Sequence, residues 1–301
     1  LTNAALAQID TVVVGNVLSR GNAALESVIE SGLPYVSGPQ WLYEHVLSRR
    51  RVCAIAGTHG KTTTSSMVAW ILQCAGLNPG FLIGGLPHNF QTSARLTDSE
   101  FFVIEADEYD TAFFDKRPKF LHYRPRTLVL NNLEFDHADI YSDLEAIQQQ
   151  CHYLLRTVPA KGGVILNADD PHLPAVLKKG CWSRQTTFSL LQSAHWQAHK
   201  RTQDGSVFDL WYHGQTIGEV TWSLVGDYNL SNALAAAAAA FDCGVSFEAI
   251  LTGLSTFTGV AKRMQCVVEN DNIKVHRDFA HHPTAIENVI TAVRSQPETQ
   301  R

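Results

Sequence analysis

Short apolar runs that end in polar residues alternate with helical patterns along most of the chain. Strands are predicted at TVVVGN (11–16), VCAIAG (52–57), FFVIEA (101–106), TLVLNN (127–132) and GGVILN (162–167). Helical patterns lie between several of them, including GNAALESVIESG, WLYEHVLSR and TTTSSMVAWILQCAG. Strands that alternate with helices predict a mostly parallel sheet covered on both faces. The predicted fold class is therefore α/β.

The pattern changes between residues 186 and 225, where short alternating segments are separated by turn signals at Asp204-Gly205 and His213-Gly214. This predicts antiparallel hairpins inserted into, or appended to, the α/β body. The alanine-rich segment NLSNALAAAAAAFDCG follows and predicts a helix packed closely against a sheet.

These changes divide the 301 residues into three predicted parts, residues 1–48, 49–258 and 259–301. The first part has a strand–loop–helix pattern that is too short to close its own sheet. The third begins at a break near Gly259 and predicts a strand pair and a helix. We therefore expect one complete central domain between parts of two others.

Composition excludes several classes of protein. The chain is 45% hydrophobic and 18% charged, which is typical of a globular protein with a large core. Its net charge of −5 argues against nucleic-acid binding. No apolar run approaches the roughly 20 residues of a membrane helix, and the start lacks a signal-peptide pattern. Six scattered cysteines without a C-x-x-C pair predict reduced, buried thiols in a cytoplasmic protein.

The segment AGTHGKTTTSS (56–66) resembles a phosphate-binding loop that lacks its first glycine. The common pattern G-x-x-x-x-G-K-[ST] places that glycine at Ile55, whereas the chain has Gly57. A strand precedes the segment and a helix follows it, so backbone N–H groups at the helix start can bind phosphate. Lys61 adds a positive charge, and the Thr62 hydroxyl can bind Mg²⁺. The segment predicts ATP or GTP binding.

Acidic residues follow the run FFVIEA at the end of its predicted strand. Glu105, Asp107, Glu108 and Asp110 can hold a cation directly or through water beside a phosphate loop. A solvated acidic loop is the alternative.

Histidines offer a second set of candidates. His137 lies between Asp136 and Asp139 after the strand TLVLNN, which suggests a second cation, although histidine is an unusual Mg²⁺ ligand. The pair His195 and His199 lies in a predicted strand with a tryptophan between them, which argues against a metal site there. The segment His281-His282-Pro283 is either catalytic or the cap of the helix that follows.

Seven segments occur in the order in which they are found in one enzyme family. They are AGTHGKTTT, EADEYD, NNLEFDH, NADDP, GDYNLSNALAA, FTGVAKRMQ and DFAHHPT. The whole chain thus resembles the Mur ligases, the ATP-dependent, amide-forming enzymes of bacterial peptidoglycan synthesis and cell wall biogenesis. The family's loop is TGT[NH]GKT, which accounts for Ile55. The resemblance implies a cytoplasmic ligase that uses ATP and Mg²⁺ and releases ADP and phosphate.

The resemblance also implies an architecture. A central P-loop ATPase-like domain (49–258) would lie between a partial UDP-sugar-binding domain (1–48) and the beginning of a C-terminal domain (259–301), both Rossmann-like. The chain departs from the family pattern because the glycine-rich UDP-sugar motif and most of the C-terminal domain are absent from it.

The substrates follow from the branch of the family. THGKTTT, EADE and AHHPT resemble the branch that acts on UDP-N-acetylmuramate, and residues 110–141 most resemble the murein-recycling ligases. Those enzymes attach L-Ala-γ-D-Glu-meso-diaminopimelate, and the UDP-N-acetylmuramate–L-alanine ligases are the alternative.

The implied partners are small molecules, with no nucleic acid or membrane, and the implied state is a monomer or a weak dimer. Two rivals are a P-loop NTPase switch and a folate-polyglutamate-type ligase, and EADE and AHHPT argue against the latter.

The resemblance assigns roles residue by residue. Lys61 would contact the β- and γ-phosphates, Thr62 and Glu105 would hold Mg²⁺, and His137 would be linked to a metal. The implied catalytic residues are Lys61, Glu105 and His137, and the implied metal ligands are Thr62, Glu105 and His137. The implied nucleotide-binding residues are Gly57, Thr58, His59, Gly60, Lys61, Thr62, Thr63, Asn229, Asn232, Arg263, Asp278 and His281. Among these, the two asparagines would lie near the adenine, and Arg263 at the hinge into the last domain.

Overall fold

A computed structural model describes residues 8–270 and 273–296. The outer ends of the predicted first and third parts, residues 1–7 and 297–301, lie outside the described residues. The strands are β1 (Val12–Val14), β2 (Tyr35–Ser37), β3 (Arg51–Ala56), β4 (Gly80–Leu82), β5 (Ala94–Arg95), β6 (Phe101–Glu105), β7 (Asp110–Ala112), β8 (Asp115–Pro118), β9 (Thr127–Leu130), β10 (Gly163–Asn167), β11 (Arg184–Ser189), β12 (Trp196–Lys200), β13 (Val207–Tyr212), β14 (Gln215–Thr221), β15 (Gln265–Glu269) and β16 (Lys274–Arg277).

Helices separate many of these strands. They are α1 (Ala23–Ser31), α2 (Gly38–Leu42), α3 (Lys61–Cys74), α4 (Leu144–Leu155), α5 (Leu173–Lys178), α6 (Asp227–Asp242), α7 (Phe247–Ser255) and α8 (Pro283–Ser295), with a π-helical turn at Tyr43–Leu47 and a 3₁₀ turn at Lys119–His122. The segment predicted as one helix over 41–49 is therefore divided between the end of α2 and the π-helical turn. No helix of the described ranges has the length and apolar character needed to cross a bilayer.

A ten-stranded sheet organises the molecule, in the order β14-β13-β12-β11-β10-β9-β3-β6-β4-β5. The strands from β12 through β4 in this order pair in parallel. At one edge β5 pairs antiparallel with β4, and at the other β13 pairs antiparallel with both β12 and β14. The predicted α/β class is confirmed. Because β3 lies between β9 and β6, the carboxyl ends of these three strands open onto one edge of the sheet, where α/β proteins bind ligands.

The prediction for residues 186–225 needs a correction. Strand β11 pairs in parallel with β10, and β12 joins β11 in parallel at Phe188↔Trp196, so only β12, β13 and β14 form antiparallel pairs. Those pairs extend the main sheet. The prediction of antiparallel pairing for β11 was wrong because this strand begins with exposed Arg184 and Gln185. It lacks the continuous apolar run that is typical of a parallel strand buried on both faces.

The core lies on both faces of the sheet, and β3 contributes to each. Cys53 and Ile55 point to the layer that contains α3, α6 and α7, whereas Val52 and Ala54 point to the layer that contains α4 and α5. In α6 the alanines Ala235–Ala240 are at most 1% exposed, which confirms the predicted close packing of this helix. The six cysteines are free; Cys53, Cys151 and Cys243 are buried as predicted, whereas Cys74 and Cys181 are only partly buried and Cys266 is exposed.

Glycines set both ends of α3. The helix begins directly after Gly60, which has φ +80°, and ends before Gly76, which has φ +75°. Both values lie in the left-handed region that favours glycine. The predicted strand pair and helix after Gly259 are present as β15, β16 and α8.

Candidate functional site

The shortened phosphate loop is a tight turn pressed against asparagines. A Cβ on Gly57 would lie 2.9 Å from Asn131 Cβ, and a Cβ on Gly60 would lie 2.3 Å from Asn232 Oδ1. Both glycines have positive φ, +141° and +80°. Side chains larger than hydrogen are therefore excluded at both positions. The first N–H groups of α3 have no acceptor within the helix and face the loop, which is the arrangement that binds phosphate.

Uncharged polar groups support the loop from behind. Thr64 Oγ1 donates to Asn232 Oδ1 at 3.1 Å, and Asn131 Nδ2 donates to both, at 3.2 and 3.0 Å. All three side chains are at most 5% exposed. Asn232, which the resemblance assigned to the adenine region, lies behind Gly60. Asn229 lines the cavity at the loop and donates to the Val225 carbonyl at 2.8 Å.

Lys61 is held inside the site by a buried carboxylate. Its Nζ lies 2.7 Å from the Gly57 carbonyl and 2.9 and 3.1 Å from the two carboxylate oxygens of Glu108. Burial disfavours the charged ammonium, but the charge and hydrogen bonds of Glu108 outweigh it and raise the pKa of Lys61. The lysine is therefore a fixed positive charge beside the phosphate loop.

Thr62 and Glu105 form an oxygen-rich corner next to Lys61. Thr62 Oγ1 donates to Glu105 Oε1 at 3.0 Å, and the Gly84 N–H donates to Glu105 Oε2 at 2.8 Å. A hydroxyl and a carboxylate are the hard oxygen donors that Mg²⁺ prefers, so these residues fit a magnesium site. Arg263 Nη2, from beyond α7, donates to the same threonine hydroxyl at 3.2 Å.

His137 contacts the same carboxylate oxygen of Glu108, Oε1, that lies 3.1 Å from Lys61 Nζ. Its Nε2 is 3.2 Å from Glu108 Oε1, and this hydrogen bond raises the pKa of the imidazole. The backbone of His137 has φ +57°, a left-handed conformation that costs free energy in a non-glycine residue and recurs at functional sites. Nitrogen and oxygen atoms of Asp107, Glu108 and His137 lie within 4.8 Å of one another, so this group can hold a cation.

A second group of titratable side chains joins the loop to α8. Glu134 Oε2 lies 3.2 Å from His59 Nε2 and 3.2 Å from His282 Nδ1, and it accepts a hydrogen bond from Thr284 Oγ1 at 2.8 Å. We call His59, Glu134 and His282 the loop–helix cluster. His282 stands at the N-cap of α8 but makes no side-chain cap bond, and Pro283 opens the helix.

One cavity of about 860 Å³ connects these groups, a size suited to a nucleotide and part of a second substrate. Of the residues predicted to bind nucleotide, metal or substrate, those that line it are Thr58, His59, Gly60, Lys61, Thr62, Thr63, Glu105, Asp107, His137, Asn229, Asn232, Arg263, Asp278 and His281. Gly57 supports the loop from outside this lining. Asp278 shapes the wall by accepting hydrogen bonds from the Met264 and Ala280 N–H groups, each at 2.7 Å. The sequence prediction thus identified residues that the fold brings together.

Three side chains of this region were missing from the predicted site: Glu108 as the partner of Lys61, Glu134 as the centre of the loop–helix cluster, and Asn131 behind the loop. Glu108 belonged to the acidic segment, and Asn131 and Glu134 lie in the quoted segment NNLEFDH. His195 and His199 belong to neither of the two candidate metal-binding groups found among the described residues.

Residues 55–240 match the sequence profile of the Mur ligase middle domain. The chain belongs to the Mur ligase family. This Mur ligase chain is 51% identical over 289 residues to the UDP-N-acetylmuramate--L-alanyl-gamma-D-glutamyl-meso-2,6-diaminoheptandioate ligase of Escherichia coli, a match that covers 96% of the chain and 63% of that relative. It is 32% identical over 288 residues to a UDP-N-acetylmuramate--L-alanine ligase from Desulforapulum autotrophicum, covering 95% of the chain and 61% of that relative.

Two solved structures of similarly named ligases also resemble this chain. The UDP-N-acetylmuramate:L-alanyl-gamma-D-glutamyl-meso-diaminopimelate ligase from Neisseria meningitides is 53% identical, with a TM-score of 0.80 over 85% of this Mur ligase chain and 81% of that chain. A murein peptide ligase from Psychrobacter arcticus is 44% identical, with a TM-score of 0.83 over 98% of this chain and 65% of that chain. The chain spans 63% of the length of its Escherichia coli relative and 61% of that of its Desulforapulum autotrophicum relative.

Proposed function

We propose that the protein carrying this chain is an ADP-forming ligase that joins L-Ala-γ-D-Glu-meso-diaminopimelate to UDP-N-acetylmuramate in peptidoglycan recycling. One observation carries the choice of substrate: identity is 51% to a ligase named for this peptide and 32% to a ligase named for L-alanine, over nearly the same residues. The alternative, the L-alanine ligase of peptidoglycan synthesis, is the activity against which the proposal is tested.

The proposed reaction has two steps. The lactyl carboxylate of UDP-N-acetylmuramate attacks the γ-phosphorus of ATP, which forms an acyl phosphate and releases ADP. The amino group of the peptide's alanine then attacks the acyl carbon, and phosphate leaves as the amide bond forms. The first step brings two anions together, so positive charge at the reacting phosphate lowers its barrier.

The loop and Lys61 supply the phosphate site in this proposal. The N–H groups at the start of α3 bind the phosphates, and the Lys61 ammonium exchanges its contacts with Glu108 for the β- and γ-phosphate oxygens. The buried Lys61 ammonium therefore has a negatively charged partner both before and after ATP binds. Support for it comes from the position of Nζ, which lies 2.7 Å from the carbonyl of the loop residue Gly57.

Thr62 and Glu105 would hold Mg²⁺, which offsets the charge of the reacting phosphates when it is bound. His137, oriented by Glu108, stands at the side of the cavity where a second cation or the acceptor carboxylate can be held. Asn229, Arg263, Asp278 and His281 line the same cavity and are assigned to the nucleotide. Arg263, Asp278 and His281 come from beyond Gly259, so closure of that segment would exclude water from the acyl phosphate.

The proposal includes the division of the chain into a partial UDP-sugar-binding domain (1–48), a central ATP-binding domain (49–258) and the start of a C-terminal domain (259–301). The family match at 55–240 falls inside the central part. A cytoplasmic location in a bacterium follows from the substrates, since UDP-sugars and ATP are cytoplasmic compounds. A monomer or a weak dimer is the proposed assembly.

The deciding experiment is a phosphate-release assay with ATP, Mg²⁺ and UDP-N-acetylmuramate, in which the tripeptide is compared with L-alanine at equal concentration. We expect release with the tripeptide and product of the corresponding mass. Activity with L-alanine alone would replace the proposed substrate with the alternative. Nucleotide hydrolysis that needs neither acceptor would instead indicate an NTPase switch and overturn the ligase assignment.

A further inference from the structure

We propose that His59, Glu134 and His282, the loop–helix cluster, form a binding site for Zn²⁺ that bridges the phosphate loop and the start of α8. This site is separate from the oxygen-rich corner at Thr62 and Glu105 and from the group around His137. The proposal does not depend on which amino substrate the ligase uses.

The spacing of the donor atoms suits a tetrahedral ion. Glu134 Oε2 lies 3.2 Å from His59 Nε2 and 3.2 Å from His282 Nδ1, and the donor atoms of all three residues lie within 4.8 Å of one another. Zinc bonds of about 2.0–2.2 Å in tetrahedral geometry put neighbouring ligand atoms about 3.3–3.6 Å apart. Small rotations of the side chains would therefore bring the three ligands into place, and water would complete the coordination.

The contact between His282 and Glu134 is not a well-formed hydrogen bond. His282 Nδ1 is buried and lacks a hydrogen-bond partner among the described residues, although the carboxylate oxygen lies 3.2 Å away. A buried ring nitrogen without a partner costs free energy. A bound ion would satisfy this nitrogen, because a metal accepts the lone pair that the present arrangement leaves unused.

The protonation states of the cluster favour a cation. Burial lowers the pKa of His59, which keeps its ring neutral and able to bind a metal near neutral pH. Burial opposes ionisation of Glu134, but hydrogen bonds from Thr284 and His59 outweigh it and lower the pKa of this carboxyl. The cluster itself consists of two imidazoles and one carboxylate, and the Thr284 hydroxyl donates to that carboxylate. Two further charges act on it from a greater distance, the Lys61 ammonium on His59 and the Asp136 carboxylate on His282.

The donor set selects the metal. Two imidazole nitrogens and one carboxylate are typical of Zn²⁺ sites, whereas Mg²⁺ prefers oxygen ligands and keeps its waters. Millimolar Mg²⁺ would therefore occupy the Thr62–Glu105 corner and leave the cluster to Zn²⁺. Because His59 belongs to the phosphate loop and His282 to the N-cap of α8, one ion would fix the distance between them.

The test uses metal-free protein without nucleotide, since ATP itself binds metals. Zn²⁺ is titrated calorimetrically in excess Mg²⁺, and Co²⁺ is added in parallel because four-coordinate cobalt absorbs strongly in the visible range. We expect one bound ion and the four-coordinate cobalt spectrum. Glu134→Gln, which can still accept the Thr284 hydrogen bond, and His282→Ala should each weaken Zn²⁺ binding roughly tenfold or more.

Two matched variants separate this site from its neighbours. His281→Ala removes the adjacent histidine and His137→Ala removes the histidine of the other candidate group, and both should bind Zn²⁺ as the unchanged protein does. Circular dichroism checks that each variant is folded. The cobalt spectrum of the unchanged protein tests the site even if a variant does not fold. Unchanged binding in Glu134→Gln and His282→Ala, loss of the ion in His137→Ala, or no bound ion in the unchanged protein would overturn the proposal.

Discussion

The Lys61 ammonium lies against both carboxylate oxygens of Glu108, at 2.9 and 3.1 Å, in a nearly closed environment. The side chains are 13% and 7% exposed. Removing one partner of a buried ion pair leaves the other charge without compensation, which costs about 3–5 kcal/mol. When ATP is bound, its phosphates would give the Lys61 ammonium a second negative partner. The free-energy cost of losing Glu108 should therefore be smaller with bound nucleotide than without it.

Glu108→Gln should therefore lower the stability of the nucleotide-free protein by about 3 kcal/mol and increase the stabilisation that MgATP gives. The measurement is the melting temperature with and without a non-hydrolysable MgATP analogue. Asp110→Asn is the matched control, because Asp110 pairs with Lys116, which is 71% exposed, and such pairs contribute little. Equal ligand-induced shifts in Glu108→Gln and the unchanged protein would contradict this account.

Lys61→Ala should reduce ATP-dependent phosphate release by at least ~100-fold, because the developing charge on the transferred phosphate loses its nearest fixed cation. The assay is steady-state phosphate release with all three substrates. Lys116→Ala removes an exposed lysine and should leave the rate unchanged. Turnover of Lys61→Ala near that of the unchanged enzyme would remove this residue from the proposed mechanism.

Gly60→Ala should abolish nucleotide binding, whereas Gly214→Ala should only lower stability by about 1 kcal/mol. Both glycines have similar positive φ values, +80° and +74°. A Cβ at Gly60 would collide with Asn232 Oδ1 at 2.3 Å, but one at Gly214 would meet nothing within 4 Å. Equilibrium binding of a fluorescent ATP analogue checks the difference. If Gly60→Ala binds the analogue normally, the turn does not need the tight packing described above.

Asp115→Asn should destabilise the β7–β8 hairpin in a pH-dependent way. Hydrogen bonding and charge from Arg117 lower the pKa of Asp115 to about 2. A depressed folded pKa contributes stability that is present above the unfolded value of about 3.9 and is lost as the pH falls toward 2. The difference in urea midpoint between Asp115→Asn and the unchanged protein should shrink as the pH falls from 4 to 3, below the range in which the neighbouring His122 titrates. A constant difference down to pH 3 would refute the assigned ion pair.

The phosphate loop could be predicted from sequence because its parts are contiguous: a strand, two glycines, Lys61, Thr62 and a helix. Glu105 and His137 were also accessible, since each follows an apolar run whose carboxyl end reaches the same sheet edge. Glu134 was not, because its partners include Thr284, 150 residues away along the chain. Such contacts depend on how α8 is placed against the sheet, and no local pattern encodes that.

The same distinction explains the error at β11. Its pairing with β10 is decided by the helix that precedes it and returns the chain in parallel, whereas its own residues resemble those of a solvent-facing hairpin strand. Alternation of apolar and polar residues along a strand indicates which face of the strand is exposed to solvent. It does not report which neighbour the strand pairs with.

The wall behind the phosphate loop consists of amides and a hydroxyl, with Asn131, Asn232 and Thr64 in mutual contact. None of these groups titrates near neutral pH, and screening by salt has little effect on bonds between neutral dipoles. The charged residues in front can therefore exchange protons, metals and phosphates while the curvature of the loop stays constant. The loop residues 57–60 thus separate charged groups that can change their partners from an uncharged wall that fixes the shape of the loop.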